Sequence, residues 1–210
     1  MSITTYDTLK TAVARWLKRD DLTAYIPDYI TFGEHRLWYG DEGQFPTKPV
    51  RLKMMQVPAT GTISSGLIQY PTDGSLVEIE RLSASSGGVT WPLTYLSPQQ
   101  FAEYESKTGD PKYFTFRNFS ILTAPVGSAT YTMDYYAKPT ALSGSNSTTQ
   151  PLIYFPELYL FAACIEGALD MQNDQLAARF AARLQGRINA IQRVENHQQP
   201  GGSLCVQVGR

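Results

Sequence analysis

The stretch from Thr149 to His197 constrains this chain most, because two helical patterns meet there across a polar hinge. Leu158, Phe161, Ala162, Ile165 and Leu169 recur at steps of three and four and so share one helix face. Leu176, Phe180, Leu184, Ile188 and Ile191 repeat the pattern beyond Asn173-Asp174, which supplies N-cap chemistry. Two amphipathic helices with so short a connection fold back as an αα-hairpin. Such a hairpin cannot bury its apolar stripe alone, so the rest of the chain, or another chain, must cover it.

The N-terminus offers a second helix pair. Thr4 and Asp7 have capping-box spacing, and a helix is predicted from about Thr5 to Lys18 with Tyr6, Leu9, Val13, Trp16 and Leu17 on its buried face. Asp20 or Asp21 can cap the next helix. That second helix fits Pro27 to Tyr39, with Pro27 in the first turn where its missing N–H costs nothing.

Between the helical ends the pattern changes. Gly40 to Pro49 is rich in Gly, Pro and charge. Strand-like pieces follow at Arg51–Val57, Gly61–Tyr70, Ser75–Leu82, Thr90–Leu93, Tyr113–Arg117, Asn118–Thr123 and Thr130–Ala137. Turn residues bound them, such as Pro71-Thr72-Asp73-Gly74. Ser97 caps a short helical segment from Pro98, and Leu142 to Gln150 reads as a loop. The predicted fold is α+β: a helical bundle from N- and C-terminal helix hairpins with an inserted small antiparallel β-module. The corresponding segments are 1–48, 49–140 and 141–197, followed by a C-terminal arm at 198–210. In that arm Leu204, Val206 and Val208 alternate beyond Pro200-Gly201-Gly202, which suits either a strand added to another surface or a frayed end.

Charge and motifs narrow the function. The net charge of −1 provides no basic field of the kind nucleic-acid binders use. Cys164 and Cys205 give no disulfide framework and no zinc site. No apolar run matches a membrane span, and the opening residues lack signal-peptide character, so a soluble protein made in the cytoplasm is expected. The chain has no Gly-x-Ser-x-Gly, Walker or Rossmann pattern. His35 has no carboxylate at a useful spacing and His197 sits in the tail of a polar helix end, so both read as solvated or structural. Glu78 and Glu80 share a strand face and are the best candidates for a glycosidase pair, although the solvent side of a strand explains them more simply. No enzyme, cofactor or metal is therefore expected.

The thirteen tyrosines and nine phenylalanines suit a protein that spends its surface on contacts. Arg179, Arg183 and Arg187 form a stripe at i, i+4 and i+8 beside the apolar face of the last helix. That stripe is either a snorkelling edge or a rail for acidic groups of a neighbouring subunit. The partner-interface candidates are thus Arg179, Arg183, Arg187, Leu204, Val206 and Val208.

The order of segments resembles one family. Asp20-Asp21-Leu22, Ile26-Pro27-Asp28-Tyr29-Ile30 and Glu34-His35-Arg36-Leu37 are similar to the opening helix pair of the head-to-tail adaptor (connector) proteins of short-tailed bacteriophages and prophages. Pro92-Leu93-Thr94-Tyr95-Leu96-Ser97-Pro98 and Gly109-Asp110-Pro111-Lys112-Tyr113-Phe114-Thr115 resemble the family's β-module. Tyr135-Tyr136-Ala137-Lys138-Pro139 and Phe155-Pro156-Glu157-Leu158-Tyr159 through Ala163 resemble its return to helix. The chain departs from the pattern at Gly33 and in its Gly-Gly tail. The resemblance implies a homo-oligomeric ring, dodecameric on the portal protein, at the head-tail junction of the virion. Such a ring extends the DNA channel, lets genomic DNA pass without specific binding, and docks a tail or nozzle protein. Two other readings compete: a carbohydrate-binding or glycan-cleaving module of a phage tail, and a generic oligomeric scaffold.

Overall fold

The computed structural model describes residues 2–69, 74–118 and 120–197, without the side chains of residues 196 and 197. The chain divides into two compact units, Met1–Met54 with Pro139–Arg210, and Met55–Lys138.

The first unit contains α1 (Tyr6–Leu17), α2 (Ile26–Tyr39), α4 (Gln150–Tyr154), α5 (Pro156–Asp170) and α6 (Asp174–His197). The cap of α1 lies one residue beyond the predicted box. Thr5 Oγ1 accepts from the Thr8 N–H at 3.3 Å, and the Thr5 N–H donates back to Thr8 Oγ1 at 3.0 Å. Asn173 caps α6, its Oδ1 accepting from the Leu176 N–H at 3.1 Å. The helix α4 is a separate short element that begins at Gln150, where the predicted loop ends. Thr149 caps it, and Phe155 breaks it from α5.

Helix α5 is the centre of this unit. α1, α2, α4 and α6 all pack on it, and Leu158 through Ile165 are buried without interruption. Trp16 of α1, Phe161 of α5 and Phe180 of α6 form one aromatic cluster with centroid separations of 5.6–6.4 Å. Each fully buried Leu or Ile in such a core contributes roughly 1.5–3 kcal/mol relative to an exposed one.

The second unit holds β1 (Gln56–Ile63), β2 (Leu67–Ile68), β3 (Leu76–Ser86), β4 (Val89–Pro92), β5 (Thr94–Tyr95), α3 (Pro98–Phe101), β6 (Tyr113–Arg117), β7 (Ser120–Ala124) and β8 (Ala129–Ala137). They make two four-stranded sheets, ordered β1-β8-β3-β4 and β2-β7-β6-β5. Ile63, Ile68, Leu82, Ile121 and Met133 from both sheets share one core. The β5–β6 pair is parallel and the remaining pairs are antiparallel.

This architecture corrects the expected fold. The chain is α+β, but two hairpins covering one another in a helical bundle, with one small antiparallel β-module between them, do not describe it. Among the described residues there are six helices and eight strands in two sheets, one pair of which is parallel. The apolar stripe on Leu158–Leu169 is only part of a helix that is apolar almost all round, and such a helix becomes a hub instead of half of a hairpin. The pairing of β1 with β8 joins strands that are distant in the chain, which local patterning cannot reveal.

Candidate functional site

Within the helical unit two charged side chains of α2, Glu34 and Arg36, are buried. Arg36 of α2 reaches Glu166 of α5 at 2.6 Å, Asp41 at 2.7 Å and the Phe45 carbonyl at 2.8 Å. The planar guanidinium suits this role, because it presents several donors in a fixed fork. Glu34, two residues earlier on α2, accepts from the Leu142 N–H at 3.1 Å and so ties α2 to the segment leading into α4. The Tyr29 hydroxyl donates to Asp170 at 2.5 Å, and burial raises its pKa to about 12. Cys164 is buried in α5, which pushes its thiol up to about 12 and leaves it a small apolar side chain at neutral pH.

The expected site residues are found in different settings. Arg179, Arg183 and Arg187 are all exposed on α6. Arg183 lies over the Trp16 ring at 5.2 Å, and Arg187 stands 3.6 Å from Glu157. Arg179 makes no ion pair among the described residues. Leu204, Val206, Val208 and Cys205 lie outside the described residues, as does the turn at Pro71-Thr72-Asp73. His35 is exposed and meets Tyr39 edge to face at 5.9 Å, while the His197 side chain is outside the described set.

Glu78 and Glu80 are both exposed, but the strand is irregular between them. The register of β3 against β8 shifts at Ile79/Arg81, and Glu80 accepts from Gln56 Nε2 at 2.7 Å. Glu78 instead lines a groove that Glu80 does not.

Two surfaces were not foreseen. On the outer side of α2, Tyr25, Phe32 and Tyr39 stand at seven-residue spacing, each more than half exposed. That period is readable in the sequence, on the side opposite Ile26, Ile30, Gly33 and Leu37. The second surface is an open groove of about 640 Å³ in the β unit, walled by Leu76, Ile79, Tyr95, Phe114 and Phe116. Tyr95 and Phe116 remain 53% and 43% exposed although both meet Phe114 edge to face and lie tilted against each other. Its walls come from strands some forty residues apart, so no local signal could have found it.

Among the described residues no three His, Cys, Asp or Glu groups gather in a metal-binding cluster, and no helix is long and apolar enough to cross a membrane. Outward, the described residues display aromatic faces on α2 and in the groove, and guanidinium groups on α6. The SU10 adaptor protein family matches residues 4–204, nearly the whole chain, and the chain belongs to that family. It is a phage adaptor and a structural component of the virion that assembles with other phage structural proteins. Comparison with curated proteins gives no match.

Proposed function

We propose that this adaptor forms a homo-oligomeric ring, dodecameric on the portal protein, at the head-tail junction. The ring extends the DNA channel below the portal and presents a docking surface to a tail or nozzle protein. Family membership over residues 4–204 carries this reading. The exposed aromatics of α2 and the arginines of α6 support it as material for contacts between subunits. A closed ring uses two different faces of one subunit, and these helices offer two unlike ones. A net charge of −1 suits a channel through which DNA passes without specific binding. The role is structural, with no catalytic step.

Mixing the purified chain with portal rings and sedimenting them tests the proposal. Stoichiometric co-sedimentation is expected, and a chain left entirely in the supernatant overturns it. A monomer in solution is compatible, because assembly can require the portal as template.

A second reading rests on the groove, where the exposed Tyr95 and the carboxylate of Glu78 resemble the furniture of a glycan site. Binding without cleavage is the form it takes, because Glu80 is engaged with Gln56 instead of facing Glu78 across the groove. Retardation in a gel containing soluble glycan is the expected result on this reading; unchanged mobility removes it.

A further inference from the structure

The groove has the form of a place for a strand. Along β3, β4 pairs with Ser83–Ser86, and the Leu93 N–H donates to the Leu82 carbonyl. Among the described residues no strand continues along that side of β3 toward Ile79. Along β6, β5 pairs with Tyr113 and Phe114 only, ending where the Leu96 N–H donates to the Phe114 carbonyl at 2.9 Å. Backbone groups two residues apart on a strand face the same way, so the Phe116 peptide faces the side that β5 has vacated. The groove lies between these two incomplete edges, and Leu76, Ile79, Tyr95, Phe114 and Phe116 give it an apolar lining. An edge of this kind is a template for an extended segment with alternating apolar side chains.

The chain carries one such segment beyond the described residues. α6 ends at His197, and thirteen residues follow. At roughly 3.3–3.6 Å per residue they reach about 45 Å when extended. Leu204, Val206 and Val208 alternate and would enter the groove together, and no charged residue interrupts the arm before Arg210.

We propose that the groove between β3 and β6 receives the C-terminal arm, residues 198–210, of a second copy of this chain as an added strand. The inference rests on the ring reading, since a ring supplies the second copy. Strand exchange of this type links each subunit to the next through backbone hydrogen bonds, with the aromatic lining selecting the apolar alternation.

Cys205 lies in the arm itself, and Cys164 is too buried to compete for thiol reagents. Ser120→Cys places a thiol in the groove lining. A short bismaleimide added to the full-length variant assembled on portal rings should then give covalent dimers and higher species, all lost in the further variant Cys205→Ser. Linkage confined to single chains, or none, overturns the proposal. Independently, a fluorescent peptide of residues 198–210 should bind the full-length chain at least tenfold more tightly than a scrambled peptide. Phe116→Asp, or Tyr95→Ser if the first variant misfolds, should weaken that binding at least tenfold. Equal binding of the scrambled peptide overturns the proposal, and so does displacement of the peptide by oligosaccharide. The two readings fail separately. Peptide binding by a chain that ignores portal rings sinks the ring and spares the groove, whereas rings without cross-links do the reverse.

Discussion

Gly33 on α2 lies against Ala163 on α5 so closely that an added Cβ would stand 2.8 Å from the Ala163 nitrogen and 3.0 Å from the Ala162 carbonyl carbon. Both obstacles are backbone, so neither can rotate away. In an exposed helix Gly33→Ala would gain about 1 kcal/mol from helix propensity. Here the overpacking of the α2–α5 contact costs about 1–3 kcal/mol and outweighs it. Urea denaturation should show Gly33→Ala less stable than the wild type, and an unchanged or higher midpoint would refute the close-contact account.

Arg36 tests the buried ionic network. Its side chain is 7% exposed and serves Glu166 and Asp41 in different directions. Arg36→Ala leaves partly buried carboxylates without their cation and should cost about 3 kcal/mol. Arg36→Lys keeps the charge but not the fork, so it should recover only part of that loss. Equal stability of the lysine variant and the wild type would mean that charge alone holds the junction.

These two positions show how far the sequence is legible. Gly33 stands out as a departure from the family resemblance, and its reason becomes visible only once α5 lies against it. Arg36 falls within a motif, but its partners are 130 and 5 residues away. Local chemistry is legible where it is self-contained, as in the Asn173 cap, the Ser97 cap and the limits of β6. It is less so where a neighbouring residue type competes: Thr5 with Thr8 closes the box that Thr4 and Asp7 also fit. The piece that reads as one strand over Gly61–Tyr70 contains the end of β1, a turn at Ser65-Gly66 with positive φ at both residues, and β2. The groove depends on which strands stop short of their neighbours, a property of register that hydrophobic alternation does not encode.

Glu195 gives a prediction about pH. It accepts from the Lys53 N–H at 3.1 Å, but burial raises its pKa above the ordinary 4.5, and the Lys53 interactions only partly offset this. A carboxyl with a raised folded pKa holds its proton longer in the native state. Below the unfolded pKa both states are protonated and Glu195 contributes no pH dependence. As pH rises through the window just above 4.5 the unfolded chain ionises first, and native stability falls. Glu195→Gln cannot ionise and retains an oxygen to accept from Lys53. Its stability relative to the wild type should therefore increase between about pH 4 and about pH 7 in paired urea titrations. A difference that stays constant or shrinks over that range would exclude the desolvation argument.

The three arginines of α6 separate assembly from folding. Arg179 is exposed with no ion pair among the described residues, so Arg179→Glu should change subunit stability by no more than about 0.5 kcal/mol. Arg183→Glu gives up the stacking on Trp16, worth about 0.5–1 kcal/mol at an exposed site. Arg187→Glu loses only a long contact to Glu157 and brings two carboxylates together, a small effect on a solvated surface. If the stripe faces a neighbouring subunit, Arg179→Glu should still reduce co-sedimentation with portal rings several-fold at moderate salt, although the monomer melts normally. Introducing the reversal at all three positions should deepen the defect more than it lowers the melting temperature. Full co-sedimentation of the triple variant would mark the stripe as a solvated edge, with the aromatic face of α2 left as the surface to examine by Phe32→Ser.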